Sequence, residues 1–205
     1  MNQSRHSQEG HYQLILASAS PRRLELLRQI GVHAQVQPVD LVEYLHQGES
    51  PLIFVQRLAL EKARFGFELM TRQGSELPVL GADTIIELEG EVLGKPTDSE
   101  QAELMLAKLS GRVHQVHTAV VVKTADAEYA ALSSSQVELA TLSTGTIRAY
   151  VATGEPMGKA GSYAIQGMAA QFVKNLQGSY SGVMGLPLYE TADLLAKAQI
   201  KLLIN

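Results

Sequence analysis

The stretch Leu14–Leu27, LILASASPRRLELL, constrains the chain more than any other. It reads as an apolar strand (Leu14-Ile15-Leu16), a turn of small residues (Ala17–Ser20) and a helix opening at Pro21. Proline suits a first helical turn because the N–H it lacks has no partner there. Ser20 stands at the N-cap position, where a hydroxyl can accept from a backbone N–H one turn on. Leu24, Leu27 and Ile30 recur at helical spacing, and Gly31 ends the run. Such a junction aims backbone N–H groups and the positive end of the helix dipole at a single point, where an anion is stabilised. Arg22 and Arg23 oppose that dipole unless a phosphate chain lies between them; an ordinary surface arginine pair is the other reading. Neither a P-loop pattern nor G-x-G-x-x-G is present.

The 205 residues suffice for one sizeable core, expected as a single domain of two lobes over residues 13–205. With 45% hydrophobic and 19% charged residues the composition is that of a globular protein. A net charge of −4 without a basic run argues against a nucleic-acid surface. There is no cysteine, so disulfides and thiolate metal sites are excluded. Residues 1–12, polar and without an apolar h-region, read as a disordered tail and not as a signal peptide. No apolar run approaches the ~18 residues of a membrane span. The expected location is the cytoplasm, with no membrane partner.

Past Gly31 the chain reaches Asp40-Leu-Val-Glu43, two acids in a loose segment that suit either a solvated loop or a hard cation. Pro51–Met70 is the clearest helix, with Leu52, Val55, Leu58, Ala59, Ala63, Gly66 and Met70 on one stripe. Lys62 falls inside that stripe, so it either snorkels to water or meets an anion. Leu77–Leu88, LPVLGADTIIEL, reads as a buried strand whose Gly81-Ala82 permits a close approach. Asp83 interrupts it; a carboxylate there needs an arginine partner or, in the reading preferred here, a metal or general-base role. Glu89-Gly90 turns the chain, and Val92–Pro96 returns it with Lys95 held extended before a proline.

Thr97-Asp-Ser-Glu100 is a capping box opening a helix that stops at Gly111. Val113–Lys123 and Ala130–Leu142 read as an antiparallel hairpin. His114 and His117, three apart in a strand, face opposite ways and are read as structural. Ser143 or Thr144 caps a helix through Val151, residues 154–161 are irregular, Gln171–Val173 is a strand, and Leu188–Ile200 is the last helix.

SASPRR at 18–23, Glu61-Lys-Ala63, GADT at 81–84, GKP at 94–96, LSGRVHQVHTAV at 109–120, GEPMGKAGSYAIQG at 154–167 and GSYSGVMGLPL at 178–188 resemble the Maf family of nucleoside triphosphate pyrophosphatases. The resemblance runs in order from about residue 14 to residue 195. It implies an α/β fold, a twisted mixed β-sheet flanked by helices around a central cleft, as in Maf and ITPase-like proteins, commonly as a homodimer. It also implies hydrolysis between the α- and β-phosphates with a divalent cation, Mg²⁺ or Mn²⁺. Carried over by position, Asp83 matches the proton acceptor, and Lys62 and Lys95 join it in the catalytic set. Ser18, Arg22, Arg23, Thr84 and Gln166 form the substrate set, and Glu43 with Asp83 the metal site. The chain departs from the family where two adjacent acids are common, having Val42-Glu43. Gln166 resembles the branch acting on dTTP and UTP. Pyrophosphatases for non-canonical purine or 7-methylguanosine triphosphates, and a nucleotide-binding cell-division regulator, are the alternatives.

Overall fold

The computed structural model describes residues 12–202, so the tail expected over residues 1–12 lies, apart from Tyr12, outside the described residues. Seven strands form one mixed sheet: β1 (Leu14–Leu16), β2 (Ala34–Val36), β3 (Val79–Leu88), β4 (Glu91–Leu93), β5 (Val113–Lys123), β6 (Glu128–Leu139) and β7 (Val173–Gln177). Their order is β2-β1-β3-β5-β6-β7, with β4 paired to β3. β1 is parallel to both β2 and β3; the remaining pairs are antiparallel. Helices α1 (Pro21–Gln29), α2 (Pro51–Arg72), α3 (Ser99–Leu109), α4 (Thr144–Val151), α5 (Tyr180–Met184) and α6 (Leu188–Lys197) flank it. This is the mixed α/β sheet architecture that the sequence implied.

Strand β1 is buried on both faces, as a strand with helices on either side must be. Leu14 and Leu16 join the larger core with Leu26 and Leu27 of α1, whereas Ile15 and Ala17 face Met70 of α2. On that second face α2 lies along the sheet, and Val55, Leu58, Ala59 and Ala63 pack on Ile85, Ala119 and Val121. Gly81 permits the contact: a Cβ there would fall on the Ala59 carbonyl oxygen and the Ala63 amide nitrogen. Both are helix backbone, which cannot step aside.

The strand register leaves β3 partly unpaired. β1 pairs with β3 only through Val79 and Leu80, and β4 takes up β3 again at Ile86. Between them one edge of β3, around Asp83 and Thr84, has no strand beside it.

Several boundaries differ from the sequence reading. Ser20 sits at the N-cap of α1 without a side-chain cap bond; the hydroxyl that serves this turn is Ser18 Oγ, which accepts from the Ser20 N–H. The cap of α3 is Asp98, one residue later than Thr97: its Oδ1 accepts from the Gln101 N–H, and Gln101 Oε1 accepts from the Thr97 N–H. Leu52 is exposed, on the first turn of α2 beyond the sheet. Residues 168–172 form a 3₁₀ turn, and the strand expected at 171–173 begins only at Val173. β6 begins at Glu128 and ends at Leu139, α6 ends at Lys197, and α5 is a helix the reading did not separate. No helix among the described residues is long and apolar enough to cross a membrane.

The two histidines face opposite sides of β5. His117 Nδ1 lies 2.8 Å from Ser134 Oγ and its Nε2 3.0 Å from Glu87 Oε2. His114 Nε2 lies 2.8 Å from Tyr163 Oη, while its Nδ1 has no partner among the described residues. A proton added to His114 would lack an acceptor in a desolvated place, and burial pushes its pKa down to about 4.

Gly81→Ala should therefore destabilise the protein by about 3 kcal/mol or more, read from urea unfolding. The His114 shift adds a pH dependence of known sign. The unfolded histidine binds a proton near its ordinary value while the folded one does not, so stability present above that value is lost as the pH falls towards about 4. The loss should be at most about 3 kcal/mol. His114→Phe should show a smaller fall over the same window.

Candidate active site

A cavity of about 430 Å³ opens at the gap beyond β1. Ser18, Arg22, Arg23, Glu43, Lys62, Asp83, Thr84, Lys95 and Gln166 all line it. The strand–turn–helix junction supplies the first three, and the coil after β2 supplies Glu43. α2 carries Lys62, β3 carries Asp83 and Thr84, and the segment after β4 carries Lys95. Ligand crevices in sheets with parallel strands open at the carboxyl end of a strand, as this one does.

Asp83 and Thr84 are neighbours in a strand and so project to opposite faces. Asp83 points to the α2 face. There Lys62 Nζ donates to Asp83 Oδ1 at 2.5 Å and to Glu43 Oε1 at 2.6 Å, and Lys95 donates to Glu43 Oε2 at 3.1 Å. The protein partner of the buried carboxylate is thus a lysine and not the arginine of the alternative reading, and Lys62 does not snorkel. Asp83 Oδ2 takes no protein hydrogen bond among the described residues. Burial would raise the pKa of Glu43, but Lys62 and Lys95 outweigh it and hold that carboxyl below its ordinary value.

Thr84 points to the other face, where Arg23 is buried. Arg23 donates from Nε to the Gly185 carbonyl at 2.8 Å, from Nη1 to Ser18 Oγ at 3.0 Å and from Nη2 to Thr84 Oγ1 at 3.3 Å. Gly185 ends α5 in the left-handed region at φ 119°, a conformation suited to glycine, which turns its carbonyl to the guanidinium. Burial lowers the Arg23 pKa, Asp83 works against that shift, and Arg22 adds to it.

Hydrogen-bond polarity is fixed here by counting protons. Thr118, on β5 opposite Thr84, donates its only hydroxyl proton to the Gly182 carbonyl at 2.7 Å. The 2.9 Å contact between Thr84 Oγ1 and Thr118 Oγ1 must then use the Thr84 proton. Thr84 consequently offers only a lone pair to the cavity.

Arg22 is half-buried; its Nε donates to the Met184 carbonyl at 3.4 Å, and burial lowers its pKa. Gln166 is exposed on the cavity wall, and its amide makes no protein hydrogen bond among the described residues. A glutamine tying down a turn is therefore not what is seen. The sequence reading missed two residues. Lys159 lines the same cavity, its pKa lowered by burial and then by Arg22; a lysine inside the glycine-rich GEPMGKAG run was the available signal. Thr118 lies inside the motif at 109–120, but nothing along the strand marks it for this site, since only pairing of β5 with β3 brings it to Thr84.

The cavity wall thus carries Arg22, Arg23, Lys62, Lys95 and Lys159 against the carboxylates of Asp40, Glu43 and Asp83. That excess of positive charge around a carboxylate with an open oxygen suits a polyanion with an accompanying cation. Asp83 Oδ2 and Glu43 are hard oxygen donors of the kind Mg²⁺ takes, one or two at a time beside phosphate and water. Val42 is 79% exposed and supplies no second acid.

A family model described as Maf-like protein matches residues 13–198. A dTTP/UTP pyrophosphatase of Xanthomonas axonopodis pv. citri is 52% identical over 183 residues, 89% of this chain and 96% of its own. Proteins of the same name from Ralstonia nicotianae and Saccharophagus degradans are 50% and 49% identical over 200 and 197 residues. These matches cover 94% and 95% of this chain and 97% and 94% of theirs.

Removing the shared ammonium leaves both carboxylates facing each other without it. Lys62→Met should cost about 3 kcal/mol in urea unfolding. A double-mutant cycle with Asp83→Asn should return a coupling above about 1 kcal/mol; additive losses would contradict the ion pair's role.

Proposed function

The chain belongs to the Maf family, and on that premise we propose that it is a nucleoside triphosphate pyrophosphatase acting on dTTP and UTP. Water attacks the α-phosphorus, the bond to the bridging oxygen breaks, and a monophosphate and pyrophosphate leave. The observation that supports this best is Asp83: a buried carboxylate with one oxygen held by Lys62 and the other open to a cavity rich in cations.

The roles follow from position. Asp83 orients the attacking water and takes its proton through Oδ2. Lys62, by holding Oδ1, fixes the plane of the Asp83 carboxylate. Arg22, Lys95 and Lys159 are the cations least committed to protein partners, so they offset the ~4 negative charges of a triphosphate. Arg23 is spent on Gly185, Ser18 and Thr84, and acts by holding the wall in shape while adding its charge. Glu43 and Asp83 would hold Mg²⁺ or Mn²⁺, which when bound neutralises phosphate oxygens and acidifies water. Gln166 can match the N3–H and a carbonyl of uracil or thymine with its free amide. A cytoplasmic location and a homodimer belong to the same reading; Val42, Tyr44, Leu45, Leu52 and Ile53 are exposed apolar side chains on the loop and first turn of α2, fit for such a contact.

Asp83→Asn keeps the shape of the side chain and should fold, yet kcat for UTP should fall at least ~100-fold. Wild-type turnover in that variant would overturn the assignment. A panel of canonical and modified triphosphates, assayed by pyrophosphate release with and without chelator, should show dTTP and UTP ahead of GTP and 7-methyl-GTP. Parity would remove Gln166 as the selector.

A further inference from the structure

Glu155 lies outside the cavity wall, yet the segment that carries Gln166 hangs from it. Its Oε2 accepts the Met168 N–H at 3.0 Å, and its Oε1 accepts the Ala169 N–H at 3.3 Å and the Tyr150 hydroxyl at 2.8 Å. The Tyr150 oxygen in turn accepts the Ala164 N–H at 3.2 Å. Residues 164–169 are thus suspended at both ends, from one carboxylate and one phenol, with Gln166 between the anchors. Gly167 completes the seat, because a Cβ there would collide with the Glu155 carboxylate.

The same residue reaches the cavity by its backbone. Lys159 Nζ donates to the Glu155 carbonyl at 2.5 Å. The two attachments differ in kind: Lys159 is hydrogen-bonded to the main chain at 155 and meets the carboxylate only as a nearby charge, whereas the Gln166 segment is hydrogen-bonded to the carboxylate itself. A change confined to the side chain should therefore loosen one wall and spare the other. Electrostatics agree, for burial would raise the Glu155 pKa, but the N–H donors, Tyr150 and Lys159 together hold it below its ordinary value, so the clamp is a charged acceptor at neutral pH.

We propose that Glu155, with Tyr150, is a positioning residue for nucleobase selection: it fixes the 164–169 wall so that the Gln166 amide meets the base, and takes no part in holding phosphate. The inference rests on the pyrophosphatase reading for its substrate, not for its geometry. Tyr150 lies on α4, so the clamp also joins the base wall to a helix of the main core.

The test separates the two halves of the substrate. UTP probes base and phosphates together, and inorganic tripolyphosphate probes the phosphate wall alone. In Glu155→Gln the amide turns a donor towards groups that are themselves donors, so KM and the dissociation constant for UTP should rise roughly tenfold, one misplaced hydrogen bond or so. The inhibition constant of tripolyphosphate should stay within about twofold of the unaltered protein, and kcat within about threefold. Tyr150→Phe, which keeps the ring against Phe172, should shift UTP the same way by less, and decides the matter if Glu155→Gln does not fold. An unchanged UTP constant in the folded variants, or a tripolyphosphate constant rising in parallel, would overturn the proposal. Should the unaltered protein bind UTP but not cleave it, the functional reading fails, while the ratio of the two binding constants still tests the clamp. A protein that binds neither probe would overturn both.

Discussion

Helix α2 lies against β3 with nothing but a glycine hydrogen between the two backbones. That contact at Gly81 governs the site as well as the core. Ala63 touches the strand there, so Lys62, its neighbour, is carried to the strand at a height where Asp83 is the nearest anion. The helix cannot back away without opening a void under Ala59 and Ala63, and it cannot come closer. A lysine on such a face and a carboxylate in such a strand are both largely desolvated. Each removes the other's penalty.

The second constraint is an edge. β1 is three residues long and β3 is ten, so a stretch of β3 has no strand beside it before β4 begins. Elsewhere in a sheet, adjacent residues serve separate faces and never meet the same ligand. At this gap both faces reach one cavity, and Asp83 and Thr84 line it together. The cations then sort by how far the protein itself uses them. Arg23 gives all three kinds of nitrogen to protein oxygens; Lys95 and Arg22 keep donors for a ligand. The relay from Thr84 through Thr118 to the Gly182 carbonyl sets the direction of a proton as firmly as packing sets a rotamer.

Opposite this charged wall stands the segment that carries Gln166, irregular in backbone and therefore in need of support from outside. Regular elements satisfy their own N–H groups; a run of turns cannot, and here a carboxylate and a phenol accept three of them. The glycine-rich motif and the turns after it are thus tied to the core through hydrogen bonds to Glu155 and Tyr150.

Neighbours along the chain are enough to set the local elements. The strand–turn–helix at 14–29, the stripe of α2 with Lys62 inside it, the apolar run around Asp83 and the β5–β6 hairpin all follow from periodicity and turn chemistry, and the residues proposed for the site follow from motifs in order. Local signals competed at the caps, where Ser20 holds the N-cap position of α1 without a side-chain bond and Asp98 took the role that Thr97 was equally fit to fill, and at 168–172, where a 3₁₀ turn stands before the strand. It takes the packing of separate segments to settle that Asp83 pairs with Lys62 and not with an arginine, that Arg23 is spent on protein oxygens, and that Thr118, Lys159 and Glu155 bear on the cavity. Among those contacts, Lys62 with Asp83, Thr84 with Thr118 and Arg23 with Gly185 join residues 21, 34 and 162 positions apart. No pattern along one strand or helix can encode them, because they depend on which faces meet when the sheet is assembled.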